Sequence, residues 1–116
     1  MSIFVFAVTF DARDAKAAAT FWAEALGRTV DEGADETAAF VASDPAVPGS
    51  RIGFRQVPED KTVKNRVHFD LATGDFDVEL ARLTALGATK LNEVNAGIRY
   101  ATLADPEGNE FDLIAR

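Results

Sequence analysis

Hydrophobic and polar positions along the first quarter of the chain follow two periods, first that of a strand and then that of a helix. Residues 3–10 are mostly β-branched or aromatic and carry no charge, which predicts a strand covered on both faces. Asp14 is a candidate N-cap, apolar residues then recur at helical spacing up to Leu26, and Gly27 stands where a glycine commonly ends a helix. The pattern therefore predicts one strand followed by one helix.

Weaker extended segments follow this helix, and the same order of elements then returns. Polar turns separate three such segments, at 28–32, 37–43 and 51–57. The second half begins with an alternating segment at 66–72 and a helix from about Asp75 to Leu86, with Gly87 after it. Three further strands are expected at 89–94, 98–104 and 109–115. Each half is therefore expected to have the order βαβββ.

The two halves match each other, which indicates an internal duplication. Phe4 stands seven residues before Asp11, and His68 stands seven residues before Asp75. More pairs show a similar period: Leu26 with Leu86, Phe40 with Tyr100, Asp44–Pro45 with Asp105–Pro106, and Gly49 with Gly108. We therefore expect a single domain over 1–116, with one module at about 1–57, a linker at 58–65 and a second module at about 66–116.

Strand alternation predicts which side chains face away from the helices. Around His68, every second residue is apolar, so His68 and Asp70 are expected on the face opposite the helix, as is Asp112 in the last strand. In the first module the same face is expected to carry Phe4, Phe6 and Val8, with Gly53 and Arg55 on the partner strand. Two such modules can enclose a concave space between them. We expect it to be lined by Phe4, Phe6, His68, Asp70, Tyr100 and Asp112.

Composition and charge limit the classes of partner. The chain has no cysteine, which excludes disulfides, zinc-finger sites and cysteine nucleophiles. Its formal net charge of -7 argues against nucleic acid or an anionic membrane as the main partner and favours a neutral or cationic small molecule. The first apolar run is too short to span a membrane and no basic residue precedes it, so we expect a cytoplasmic protein.

His68 is the only histidine, and three roles remain open for it. With Asp112 it could hold a divalent metal ion, or the carboxylate could orient it as a general base. The third role is that of a hydrogen-bonded residue without chemical function.

Three motifs resemble the glyoxalase-like branch of the vicinal oxygen chelate superfamily, which includes bleomycin-resistance-type proteins. They are FWAEALG after the first strand, VPEDKTVKNRVHFDL in the middle and YATLADPEGNEFDLI at the end. The resemblance implies an α+β fold in which two βαβββ modules form a cupped mixed sheet around a small-molecule site, commonly in a homodimer. It also implies a divalent metal held from four equivalent strand positions. Carried over to this chain, these positions fall on Phe4, on His68, near Gly53 or Arg55, and on Asp112.

Two functions follow from the resemblance. In the first, the metal site is degenerate because Phe4 and Gly53 or Arg55 offer no ligand, and the domain binds a neutral or cationic small molecule as bleomycin-resistance proteins do. In the second, His68 and Asp112 support a lyase, isomerase or dioxygenase that acts on a small oxygenated substrate, either with a metal or with His68 as the base.

Overall fold

The computed structural model describes residues 2–116. The chain divides into two compact units, with the boundary between Asp60 and Lys61. Both units combine one helix with one mixed sheet, which confirms the expected α+β class. Among the helices of the described residues, none has the length and apolar character needed to cross a membrane.

The first unit contains β1 (Ala7–Ala12), α1 (Ala15–Leu26), β2 (Ala38–Val41) and β3 (Arg51–Gln56). Its sheet has the order β1-β3-β2, in which β1 runs parallel to β3 and β2 runs antiparallel to it. The segment expected as a further strand at 28–32 forms a single bridge in the described chain, from Val30 to Val41.

Strand β1 begins later and ends later than the sequence predicts. Its pairing with β3 starts at Ala7 opposite Arg51 and ends at Ala12 opposite Gln56. The loop before Arg51 offers no strand partner, so residues 3–6 precede the sheet, and their apolar side chains are exposed. The apolar pattern predicted a strand from Ile3 but could not locate the partner strand, whose pairing begins only at Ala7.

Helix α1 forms where its capping residues and apolar spacing predict it. The Asp14 side chain accepts a hydrogen bond from the Ala17 backbone N–H at 3.1 Å, and Gly27 ends the helix with a φ of 66°. The helix buries Trp22, whose ring lies 6.1 Å from Phe10 of β1. Phe10 in turn lies 5.5 Å from the ring of Phe54 on β3, so the core lies between α1 and one face of the sheet.

The second unit has the full βαβββ order. It contains β4 (Asp70–Thr73), α2 (Phe76–Leu86), β5 (Thr89–Ala96), β6 (Ile98–Ala104) and β7 (Glu110–Ala115). The sheet order is β4-β7-β6-β5, with β4 parallel to β7 and the other pairs antiparallel.

The two faces of this second sheet differ in burial. Alternate residues of β6 and β7 are buried, namely Ala101, Leu103, Phe111 and Leu113. They belong to the core with Phe76 and Leu83 of α2. The residues between them in the sequence, including Thr102 and Asp112, are half-buried and lie on the opposite face. The candidate functional residues of this unit are therefore on the face turned away from α2.

Candidate functional site

Three potential ligand side chains come together at one end of the second sheet. The Nε2 atom of His68 lies 3.3 Å from Oδ1 of Asp70 and 3.6 Å from Oδ2 of Asp112. One donor atom from each residue can be chosen so that all three lie within 4.8 Å of one another. Sequence alternation had placed these residues on one face, and the structure shows that they also meet.

Strand pairing explains why they meet. Asp70 on β4 is directly opposite Asp112 on β7, because the two strands run in parallel register. His68 precedes Asp70 by two residues, and the Phe69 carbonyl accepts a hydrogen bond from the Asp112 N–H at 2.9 Å, which continues the pairing beyond β4. Residues two apart on extended backbone point to the same face, so the imidazole and both carboxylates converge.

Thr102 is a fourth member of this cluster that the sequence did not reveal. It stands opposite Asp112 on β6, and its hydroxyl donates a hydrogen bond of 2.6 Å to Oδ1 of Asp112. The sequence signal was present in principle, since Thr102 and Asp112 lie at matching distances from the turn at 105–109. Only the register of the β6–β7 hairpin shows that these two residues are paired.

That turn is held by a buried carboxylate. Asp105 is 4% exposed, and its Oδ1 accepts backbone hydrogen bonds from Glu107 at 2.9 Å and Asn109 at 2.8 Å. Gly108 takes a φ of 89°, a conformation that favours glycine. The turn thereby fixes the register that places Thr102 beside Asp112.

An ion pair between Lys61 and Glu110 flanks the cluster on β7. Lys61 Nζ lies 2.7 Å from Oε2 of Glu110, and the Asn65 side chain donates a 2.8 Å hydrogen bond to the Glu110 carbonyl. Burial is the largest single effect and raises the pKa of Glu110. The hydrogen bond from Lys61, a backbone hydrogen bond and the positive charges of Lys61 and Lys64 together outweigh it, so the pKa lies below the ordinary glutamate value. Glu110 is therefore paired with Lys61, whereas the more exposed Asp70 contacts His68.

The remaining predicted site residues lie in different surroundings. Tyr100 is half-buried on β6, two residues before Thr102 and on the same face. Phe4 and Phe6 belong to the first unit, in the exposed segment before β1, where they are 78% and 62% exposed. The Phe6 ring lies 5.2 Å from the guanidinium carbon of Arg51.

Strand register corrects the expected face of the first sheet. Thr9, rather than Val8, lies opposite Gly53, while Val8 pairs with the buried Ile52. Val8 is therefore on the core face, and the expectation that it shares a face with Gly53 was wrong, because α1 is capped by Asp14 and not by Asp11, and a shift of three residues inverts the alternation of a strand.

The helix caps also change the alignment of the two halves. Asp14 caps α1 and Asp75 occupies the N-cap position of α2, so the aspartate equivalent to Asp75 is Asp14 rather than Asp11. Counting back seven residues from Asp14 makes Ala7, not Phe4, the equivalent of His68. Alanine offers no side-chain ligand.

The donor set of the cluster fits a divalent metal ion. One imidazole nitrogen and two carboxylate oxygens are ligands that Mn²⁺, Fe²⁺ and Zn²⁺ accept. The two negative carboxylates also balance the double positive charge of such an ion. His68 and Asp112 were expected as metal ligands, whereas Asp70 was expected only as a ligand-binding residue.

Solved structures similar to this chain include members of the glyoxalase/bleomycin resistance/dioxygenase family. A family enzyme from Burkholderia phytofirmans PsJN is 23% identical, with 97% of this chain and 98% of that chain covered and a TM-score of 0.73. A mutant of the fosfomycin resistance protein FosX from Listeria monocytogenes, complexed with Mn(II) and 1S,2S-dihydroxypropylphosphonic acid, is 16% identical, with 99% and 90% covered and a TM-score of 0.73. Lactoylglutathione lyase from Agrobacterium tumefaciens is 16% identical, with 99% and 94% covered and a TM-score of 0.66.

The family is shown by the sequence itself. Residues 7–114 match the model of the glyoxalase-like domain, and this chain belongs to that family. The resemblance inferred from the three motifs is thereby confirmed. None of the curated protein sequences matches the chain.

Proposed function

We propose that this glyoxalase-like domain binds a divalent metal ion between His68, Asp70 and Asp112, and through it a small oxygen-bearing molecule. The observation that carries the proposal is the convergence of the three donor side chains, with His68 Nε2 3.3 Å and 3.6 Å from the two carboxylates. All three ligands come from the second unit, so the lack of a ligand at Ala7 and Gly53 does not remove the site.

The partial exposure of the three side chains supports binding of a further molecule. The side chains of His68 and Asp70 are 46% and 57% exposed, and that of Asp112 is 21% exposed. Three protein ligands leave open positions on an ion that prefers six. When bound, such an ion would polarise a carbonyl or hydroxyl oxygen of its ligand, which is chemistry that a lyase or isomerase uses.

A metal-free function is the second candidate, and the charge of the site favours it. In the absence of a metal, Asp70 and Asp112 would attract the ammonium group of an organic cation, with His68 as a hydrogen-bonding group. The half-buried Tyr100 on the same face supplies an aromatic surface for such a ligand. This is the binding function expected from a degenerate site.

One set of melting curves distinguishes the two candidates. Protein treated with chelator and then given MnCl₂, ZnCl₂ or MgCl₂ should melt several degrees higher with at least one metal. His68→Ala should abolish the rise. Asp75→Asn is the matched control, because Asp75 is an exposed aspartate of the same unit whose carboxylate makes no cap hydrogen bond. No rise with any metal, together with stabilisation by phenyltrimethylammonium but not by benzenesulfonate, would reject the metal site in favour of the organic cation.

We further propose that the protein forms a homodimer through the apolar segment before β1. Ile3, Phe4, Val5 and Phe6 are 62–83% exposed, and no charged residue lies between Ser2 and Phe10. A contiguous exposed apolar segment favours association, and a second copy can cover it without bringing like charges together. Light scattering should give twice the monomer mass of 12.5 kDa, and Phe4→Asp should lower it to that value. A wild-type mass of 12.5 kDa at micromolar concentration would contradict dimerisation.

A further inference from the structure

The hydrogen bond between Thr102 and Asp112 distinguishes the two oxygens of the Asp112 carboxylate. Oδ1 accepts the Thr102 hydroxyl at 2.6 Å, whereas Oδ2 is the oxygen 3.6 Å from His68 Nε2. A hydroxyl that donates to a carboxylate forms a short, charge-assisted bond, stronger than a bond between neutral groups. The carboxylate is therefore held with one oxygen on the β6 side and the other toward His68.

The placement of Thr102 makes this arrangement part of the sheet. Thr102 and Asp70 both lie opposite Asp112, on the two strands that flank β7. Threonine is β-branched, so its χ1 angle is restricted and its hydroxyl remains directed across the strands. Asp112 is consequently confined between a fixed donor on one side and the ligand cluster on the other.

We infer that Thr102 is a positioning residue that makes Asp112 a one-oxygen ligand through Oδ2, an inference that rests on the proposed metal site. With Oδ1 engaged by Thr102, each of His68, Asp70 and Asp112 contributes one atom. The site then keeps half of an octahedral coordination sphere open for its small molecule. Without the Thr102 hydroxyl, the Asp112 carboxylate would rotate and lose the orientation that the ion requires.

The test compares Mn²⁺ binding by the wild-type protein and by variants at Thr102. Free Mn²⁺ is measured by its solution EPR signal during titration of the chelator-treated protein, a readout that needs no substrate. Thr102→Val removes the hydroxyl but keeps the shape of the side chain, and should weaken Mn²⁺ binding about 10-fold. Thr102→Ser keeps the hydroxyl, so its Mn²⁺ affinity should lie within about threefold of wild type. The small loss reflects the freer χ1 angle of serine.

A matched control separates positioning from general loss of structure. Thr84→Val removes a hydroxyl that donates to the Leu80 carbonyl inside α2 at 2.8 Å, and should leave Mn²⁺ affinity unchanged. Melting temperatures in EDTA show whether each variant is folded.

The outcomes separate this inference from the proposed function. If the wild-type protein binds no Mn²⁺, the metal site and the role of Thr102 are both rejected. If the wild type binds and Thr102→Val binds equally well, the metal site stands and the role of Thr102 is rejected. If Thr102→Ser is as weak as Thr102→Val, the hydroxyl is not the feature that matters, and the inference is likewise rejected.

Discussion

Removal of the Asp105 side chain should destabilise the turn that aligns β6 with β7. In the wild type, this carboxylate accepts backbone hydrogen bonds from Glu107 and Asn109, at 2.9 and 2.8 Å, and a 3.3 Å bond from the Asn109 side chain. Asp105→Ala leaves two backbone N–H groups of the turn without this acceptor. An unsatisfied buried donor costs about 1–3 kcal/mol. Because Glu107 and Asn109 are only half-buried, water will accept part of these hydrogen bonds and reduce the cost in free energy.

We therefore expect Asp105→Ala to lower the free energy of unfolding by about 2–4 kcal/mol and the melting temperature by roughly 8–16 °C. Urea unfolding followed by far-UV circular dichroism, in EDTA, measures the first quantity. Asp105→Asn is the control, because its amide oxygen can still accept from the backbone, and it should cost about half as much. A loss below about 0.5 kcal/mol for Asp105→Ala, or equal losses for both variants, would refute the assigned role.

Three other predictions concern stability. Gly53→Ala would place a Cβ 2.8 Å from a ring carbon of Phe40, and should cost about 1–3 kcal/mol in urea unfolding; no change would show that the ring moves freely. Asp14→Ala removes the cap of α1 and should cost about 1 kcal/mol, which a neutral result would contradict. Lys61→Met should cost about 1 kcal/mol at pH 7. Since the pKa of Glu110 lies below its ordinary 4.5, the ion pair stabilises the fold fully above pH 4.5 and is lost as the pH falls through the lowered pKa. The free energies of unfolding of variant and wild type should therefore converge in acid. A difference in stability that persists at low pH would exclude the ion pair as its cause.

The helices could be predicted from the sequence because their determinants are local. An aspartate at the N-cap position, apolar residues at helical spacing and a closing glycine occur together in both halves, and the observed helices Ala15–Leu26 and Phe76–Leu86 follow them. Strand ends depend on a partner distant in sequence. For that reason β1 begins at Ala7, opposite the first residue of β3, although the apolar pattern begins at Ile3.

The candidate site was predictable in its residues but not in its full composition. Alternation alone put His68, Asp70 and Asp112 on one face, because the period of a strand is local. The hydrogen bond from Thr102 depends on the register of a hairpin, which the turn at Asp105 sets. The same holds for the first unit. Which residues of β1 share a face with Gly53 depends on the pairing of β1 with β3, which places Thr9 opposite Gly53.

The single histidine of this chain allows a direct test of the central claim, that His68 and the two carboxylates hold a metal ion. Pulsed EPR of the Mn²⁺-loaded protein detects nitrogen nuclei bound to the ion, and labelling histidine with ¹⁵N identifies their source. We predict an imidazole nitrogen coupling in the unlabelled protein that changes to the ¹⁵N pattern in the labelled one, which places His68 on the metal. Mn²⁺ bound stoichiometrically without any histidine nitrogen coupling would contradict the proposed site.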